Sequence, residues 1–417
     1  MHKYYPAFDG LRAVAILMVF FCHYMPIALP GHFLPGFWTG VDLFFVLSGF
    51  LITGILCDSQ RTEHYFRNFY IRRSLRILPV FYGFFLLVFL LTPLLHLRYS
   101  NYIWTNPLYV MNFVVKGAVL LKHGNPTVFW VPQLPGMQVS LGPLWSLCVE
   151  EQFYLLWPLI VWLVPSRTKL MNICAVVICL TVVLRSLLYF HDPALAYKTK
   201  YLYNATYARC DTLLVGAWIA LWLRGATPSR ESLRRIAHVM FWGSLGLLTL
   251  LQLIFSGHCY FEIDNPVLQT VGYTLIAFAG GGVLLRCLDE RSKVYRALLH
   301  PALRRLGVIS YGFYFFHDLP EAQFLIVSSK LHPYHLNLLV FPLAFAYTYG
   351  AAFLSFRYLE SPFLRLKALL APGHRSVPPP LPNNIPSALA ALVSALRNSP
   401  IEANPSSQYA PSQSPPA

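Results

Sequence analysis

Long apolar stretches separated by short polar loops constrain this sequence more than any other feature. A helix crosses the hydrocarbon core of a bilayer with about 20 mainly apolar residues. Because backbone polar groups in lipid must be paired internally, repeated stretches of this length predict an all-α polytopic membrane protein. Ten candidate spans lie near residues 11–30, 38–57, 77–96, 144–164, 171–190, 208–223, 237–255, 267–286, 306–328 and 337–358.

Composition agrees with a membrane location and excludes other classes. Charged residues make up 12% of the chain and hydrophobic residues 56%, whereas about a quarter of a soluble domain is charged. The net charge of +15 is not a nucleic-acid signature, because the basic residues lie in short loops and form no basic face with interleaved aromatics. The eight cysteines show no CxxC spacing, so the sequence predicts neither a metal site nor disulfides.

The distribution of basic residues predicts the orientation. With ten spans and a cytoplasmic amino terminus, the loops richest in Arg and Lys fall inside, as the positive-inside rule requires. Counting the interrupted stretch 101–121 as a span would move them outside. We therefore interpret it as part of a long outer segment, 97–143, that covers a site on the outer face. The inner loops hold Arg61, Arg67, Arg72, Arg73, Arg76, Arg167, Lys169, Arg224, Arg230, Arg234, Arg235, Arg291, Lys293, Arg296, Arg304 and Arg305.

The same pattern divides the chain into two parts. Residues 1–370 form the membrane domain, and residues 371–417 are rich in Pro, Ser and Ala. Such a composition is typical of disorder. We expect a disordered cytoplasmic tail there, so both termini are predicted to be cytoplasmic.

Arg12 and His23 are the first ionisable residues in a predicted span, where placing such a side chain in lipid costs free energy. Eleven residues at about 100° each return to nearly the same helix face, roughly 16 Å further along the axis. An imidazole at this position is suited to remove a hydroxyl proton near neutral pH. The alternative is an interfacial arginine that snorkels and a histidine that caps a helix end.

Acidic residues in later spans are candidate partners for that imidazole. Asp42 falls at a depth similar to that of His23, and its carboxylate could orient the ring; the alternative is an aspartate that faces water. Glu150 and Glu151 are adjacent in an apolar helix. We expect such carboxylates to be paired with other side chains, for either a functional or a structural reason. His317 is the rival candidate for the base.

Basic residues crowd the start of the third span. Arg72 and Arg76 lie at i, i+4 with Arg73 beside them. Guanidinium groups near a helix N-terminus bind phosphate well, although anchoring by the positive-inside rule also places basic residues there. Further along, Arg209 and Asp211 are expected to pair with each other or with the glutamate pair.

Taken together, these motifs resemble the integral-membrane acyltransferase 3 family, which O-acylates bacterial surface glycans and some small molecules. The resemblance implies a ten-helix enzyme of the inner (cytoplasmic) membrane that takes an acyl group, expected to be acetyl, from cytosolic acyl-CoA. It implies that His23 is catalytic with Arg12 essential beside it, and that Glu150 belongs to the catalytic region. It also implies that Arg72, Arg73 and Arg76 contact the donor's phosphates. The matching pieces are Arg12 and His23, 40–50, 72–79, 145–154, 208–216, 310–317 and 358–362.

The resulting hypothesis is an O-acyltransferase in which His23, oriented by Asp42 or Glu150, deprotonates a hydroxyl of a glycan, glycolipid or small molecule. The main alternative is a transporter or flippase for a lipid-linked glycan or acyl donor, since intramembrane charges also mark translocation paths. Some relatives carry an extra esterase-like domain at the carboxyl end. The tail here is short, so we expect the chain to act alone or with a separate partner protein.

Overall fold

The protein is almost entirely helical. The computed structural model describes residues 4–28, 36–99, 103–113, 128–130, 138–194, 196, 201–225, 228–256, 261–263 and 265–370. The predicted disordered tail, 371–417, lies outside these described residues. In chain order, the helices are α1 Pro6–Ala28, α2 Gly40–Ser59, α3 Tyr65–Leu95, α4 Trp145–Leu163, α5 Arg167–His191, α6 Tyr201–Asn204, α7 Thr206–Trp222, α8 Arg230–His238, α9 Ser244–Ser256, α10 Tyr273–Arg286, α11 Lys293–Leu298, α12 Pro301–Val308, α13 Ser310–Phe316, α14 Glu321–Leu331, α15 Val340–Ser355 and α16 Ser361–Leu370.

Seven helical segments within the described residues are long and apolar enough to cross a membrane. Three of them include a π-helical turn: Val239–Gly243 joins α8 to α9, Leu268–Gly272 precedes α10, and Phe356–Glu360 joins α15 to α16. The seven are Pro6–Ala28, Phe37–Ser59, Tyr65–Leu94, Arg167–His191, Arg230–Ser256, Leu268–Arg286 and Asn337–Lys367. The all-α, polytopic prediction is confirmed.

The other three predicted spans are less regular. Helix α4 contains the polar run Glu150–Gln152, and α7 has only 17 residues. The predicted span 306–328 is not one helix, because it is divided among α12, α13 and α14. Residues 317–320 separate α13 from α14 and end in Pro320, which lacks the backbone donor that would continue the helix. Non-helical backbone at membrane depth is tolerated where protein surrounds it.

The segment 97–143 contains the only strands among the described residues. These are β1 Arg98–Tyr99, β2 Val128–Trp130 and β3 Gln138–Ser140, which form an antiparallel sheet in the order β1-β2-β3. In the interrupted stretch 101–121, the described residues form a short 3-10 turn, Ile103–Thr105, followed by turns and by helical residues at 111–113. The backbone of β3 passes beside α14.

Helices α2 and α7 approach each other closely through two glycines. A Cβ atom on Gly49 would lie 1.9 Å from the Leu213 carbonyl oxygen, and one on Gly216 would lie 1.9 Å from that of Val46. Small residues let helix backbones meet in membranes. The pair therefore fixes the separation of α2 from α7.

A buried network of two arginines and two aspartates joins α2, α5 and α7. Arg209 binds Asp42 at 2.5 Å, and Arg185 binds Asp211 at 3.1 Å. All four side chains are at most 1% exposed. Arg209 also lies 4.3 Å from the ring centre of Tyr273. The expected pairing of Arg209 with Asp211 or with the glutamates is wrong, because residues two apart on a helix point to different faces.

Candidate active site

His23 lies near the end of α1 and contacts the start of α14. Its Nδ1 atom is 3.1 Å from Glu321 Oε1 and 3.6 Å from Asp318 Oδ1. The imidazole is 30% exposed, whereas the Asp318 side chain is only 4% exposed. A neutral ring that donates its Nδ1 proton to Glu321 carries its lone pair on Nε2, which is the arrangement that a general base needs.

His317 stands beside that ring. The two imidazole centres are 5.0 Å apart and nearly perpendicular. His317 is fully buried, and its Nδ1 lies 2.5 Å from the Tyr314 carbonyl oxygen. The rival base of the sequence analysis is thus a direct neighbour of His23. We call His23, His317, Asp318 and Glu321 the imidazole cluster.

The partner of His23 differs from the one that the sequence led us to expect. Asp42 faces Arg209 in the buried network, and Glu150 forms hydrogen bonds with Ser48 and Tyr154. The prediction that Asp42 or Glu150 orients His23 is therefore corrected to Glu321 and Asp318. The position of a residue along its helix does not determine which helix face packs against α1.

The basic residues of α3 gather at another place on the bundle. Arg72, Arg73 and Arg76 interact electrostatically with Lys367 of α16, and we call these four residues the basic cluster. Arg12 interacts electrostatically with Arg76 and is bound by Asp9 at 2.8 Å. Helix α1 therefore extends from the basic cluster, beside which Arg12 lies, to the imidazole cluster, which contains His23.

Glu150 and its neighbours adjoin the basic cluster. Arg73 and Arg76 attract the Glu150 carboxylate, which also accepts hydrogen bonds from the Ser48 and Tyr154 hydroxyls. The Arg73 guanidinium lies 4.3 Å from the centre of the Tyr154 ring. These contacts draw α2, α3 and α4 together around polar groups.

Tyr314 of α13 continues this polar chain toward His23. Its hydroxyl is 2.6 Å from Ser146 Oγ and interacts electrostatically with both Glu150 and Asp318. Its ring centre lies 5.3 Å from that of His317. A series of polar groups that interact electrostatically, which we call the polar track, thus leads from the basic cluster through Glu150 and Tyr314 to the imidazole cluster.

Sequence reasoning missed Glu321 and Lys367. Glu321 follows His317 and Asp318 after Pro320. That proline was the available signal that the span is interrupted and that a carboxylate begins a new helix. Lys367 gives no local signal, since it is more than 290 residues from Arg76 and only the packing of α16 against α3 brings it there.

Fold and site together define a multi-pass membrane protein whose polar interior links a cluster of cations to a paired imidazole. The chain belongs to the acyltransferase 3 family: the family model, described as an acyltransferase domain, matches residues 5–357. The resemblance to this family that the sequence motifs indicate is thereby confirmed. Family membership gives no support to the transporter alternative.

Several curated relatives are named as O-acetyltransferases. The chain is 30% identical to a putative peptidoglycan O-acetyltransferase of Bacillus subtilis over 76% of its own length and 48% of the relative's. It is 29% identical to a peptidoglycan O-acetyltransferase of Listeria monocytogenes, over 86% of this chain and 56% of that protein. A putative O-acetyltransferase of Staphylococcus aureus is 28% identical, with coverage of 88% and 59%. The chain thus spans about half the length of these relatives. No solved structure gives a significant match.

Proposed function

We propose that this protein transfers an acyl group, acetyl by analogy with its relatives, from cytosolic acyl-CoA to a hydroxyl of a cell-envelope glycan. Peptidoglycan is the acceptor that the names of two relatives indicate. The observation that carries the proposal is the polar track, because it connects a site suited to phosphates with an imidazole suited to activate a hydroxyl. The protein acts in the cytoplasmic membrane.

The donor's phosphates bind at the basic cluster. Guanidinium groups hold phosphate through paired, charge-assisted hydrogen bonds, and the ammonium of Lys367 adds a point charge. The pantetheine arm of the coenzyme then follows the polar track past Glu150 and Tyr314. This path brings the thioester to His23, while Arg12 supports the inner end of the track.

At the imidazole cluster, His23 Nε2 takes the proton of the acceptor hydroxyl as its oxygen attacks the thioester carbonyl. The imidazolium that forms is stabilised by Glu321 and Asp318. When the tetrahedral intermediate collapses, the carbon–sulfur bond breaks and the imidazolium returns its proton to the thiolate. The products are an ester and free coenzyme A, with His23 neutral again.

Transfer of radiolabelled acetyl groups in membranes tests this assignment. We expect His23→Ala to lower the rate by roughly 10²- to 10⁴-fold, the usual contribution of a general base. Arg76→Ala should mainly raise KM for acyl-CoA. His332→Ala and Arg235→Ala alter exposed residues of the same types and serve as controls. Near-wild-type transfer by correctly inserted His23→Ala would refute the general-base role.

A further inference from the structure

The imidazole cluster has the composition of a transition-metal site. His23, His317 and Asp318 each offer a ligating atom, and these atoms all lie within 4.8 Å of one another. Glu321 adds a fourth group, with its Oε1 atom 3.1 Å from His23 Nδ1. Neighbouring ligands of a tetrahedral zinc ion are about 3.4 Å apart. Small side-chain movements would therefore close the set around an ion.

His317 is prepared for such a role by its backbone contact. Because a carbonyl oxygen can only accept, the Nδ1 atom 2.5 Å from Tyr314 O must carry the ring proton. The lone pair is then on Nε2, and this atom is buried and has no hydrogen-bond partner among the described residues. Histidine ligands of metals commonly donate their other N–H to a backbone carbonyl. A buried acceptor left without a donor is costly in a protein interior, and a metal ion would satisfy it.

The ligand set selects the kind of ion. Two imidazole nitrogens favour Zn²⁺ over Mg²⁺ or Ca²⁺, which prefer oxygen ligands. Two carboxylates would balance the double charge of the ion within an apolar bundle. We propose that His23, His317, Asp318 and Glu321 bind one Zn²⁺ ion, and that the bound ion inhibits acyl transfer.

The inhibition rests on the proposed function. It follows because the metal would bind the Nδ1 nitrogen of His23. Nδ1 of His23 is the atom that faces Asp318 and Glu321, so a metal there would bind the tautomer whose single ring proton has moved from Nδ1 to Nε2. Nε2 then has no lone pair with which to accept the hydroxyl proton, and the metal also takes the two carboxylates that would stabilise an imidazolium.

Zinc binding can be measured without reference to activity. The full chain, purified in detergent with a tag that contains no histidine, is dialysed against Zn²⁺, and bound metal is counted by mass spectrometry. We expect about one Zn²⁺ per wild-type chain. His317→Ala and Asp318→Asn should each weaken binding at least roughly tenfold. His332→Ala removes an exposed histidine and should retain the bound ion, and Mg²⁺ should not compete.

Several outcomes would overturn the proposal. It fails if the wild-type chain binds no Zn²⁺, or if His317→Ala, His23→Ala and Asp318→Asn all retain it while eluting as folded monodisperse protein. The inhibitory part fails if a zinc-loaded enzyme transfers acetyl as fast as a chelator-treated one. The proposed function has a separate test, because unimpaired transfer by His23→Ala refutes the general base whether or not the metal binds.

Discussion

At the residue scale, the site depends on which polar atoms face one another. In the proposed mechanism His23 is a base whose Nδ1 is fixed by a carboxylate, and Glu321 and Asp318 lie within reach for that contact. Arg12 is held by Asp9, whose carboxylate also accepts a hydrogen bond from the Tyr4 hydroxyl. Arg12 and His23 thus each have a neighbour that fixes the orientation of the side chain, which lowers the cost of placing a polar group in the membrane.

Glu321→Gln should slow transfer without weakening donor binding. The amide oxygen still accepts a hydrogen bond from His23, but the charge that stabilises the imidazolium is lost. We expect kcat to fall roughly 10- to 100-fold, with KM for acyl-CoA nearly unchanged, in steady-state assays of reconstituted protein. Glu321→Asp should restore part of the rate, and the exposed Glu231→Gln is the control. Equal losses in kcat for all three variants would argue against an orienting role.

Lys367→Ala should weaken donor binding instead. Its ammonium belongs to the basic cluster, so its removal should raise KM for acyl-CoA roughly tenfold, equivalent to about 1.4 kcal/mol. The effect should shrink at high salt, because screening already weakens the attraction between Lys367 and the donor in the wild type. Lys367→Arg should keep the affinity. The exposed Lys293→Ala is the matched control, and an unchanged KM in Lys367→Ala would remove this residue from the donor site.

At the scale of elements, close helix contacts and one broken span shape the site. Helix α2 is held against α7 by Gly49 and Gly216, and the ion pair of Asp42 with Arg209 joins the same two helices. Helices α13 and α14 replace a single span, and the interruption at 317–320 places His317, Asp318 and Glu321 around His23. The break is therefore part of the site rather than an irregularity beside it.

Gly49→Ala should destabilise the bundle. The added methyl would lie 1.9 Å from the Leu213 carbonyl oxygen, so the two helices would have to separate. Overpacking of this kind typically costs about 1–3 kcal/mol, and thermal unfolding in detergent should show a lowered Tm. Gly246→Ala is the control, since no atom of the described residues lies within 4 Å of the place that its new methyl would occupy. Equal Tm values for the two variants would contradict the close packing of α2 and α7.

At the scale of the whole molecule, the polar track gives the protein two chemically different ends. Helix α1 reaches both, with Arg12 beside the basic cluster and His23 in the imidazole cluster. The charge distribution of the loops predicts that the basic end faces the cytoplasm. In the proposed mechanism the donor would then enter from the cytosol, and the acceptor would reach the donor's thioester from the opposite side of the membrane.

Cysteine labelling can test this orientation. In a cysteine-free background that retains transfer activity, Glu63→Cys and Glu290→Cys should resist a membrane-impermeant maleimide in intact cells. Tyr334→Cys, in a predicted outer loop, should react. All three positions are exposed, so burial does not explain a failure to label. Labelling of Glu63→Cys from outside would place the basic cluster on the wrong side and refute the proposed route of the donor.

The sequence by itself determined the membrane class, most of the spans and the residue types of the site. Apolar length is a local property of the chain, and the penalty for charge in lipid marks Arg12, His23 and Glu150 wherever they pack. Only the tertiary structure decided which of these residues meet. Asp42 and Glu321 are both acidic, but helix packing turns Asp42 toward Arg209 and Glu321 toward the imidazole of His23. The orientation of one helix face toward another depends on packing with distant segments, and for this reason Glu321 and Lys367 emerged only from the folded chain.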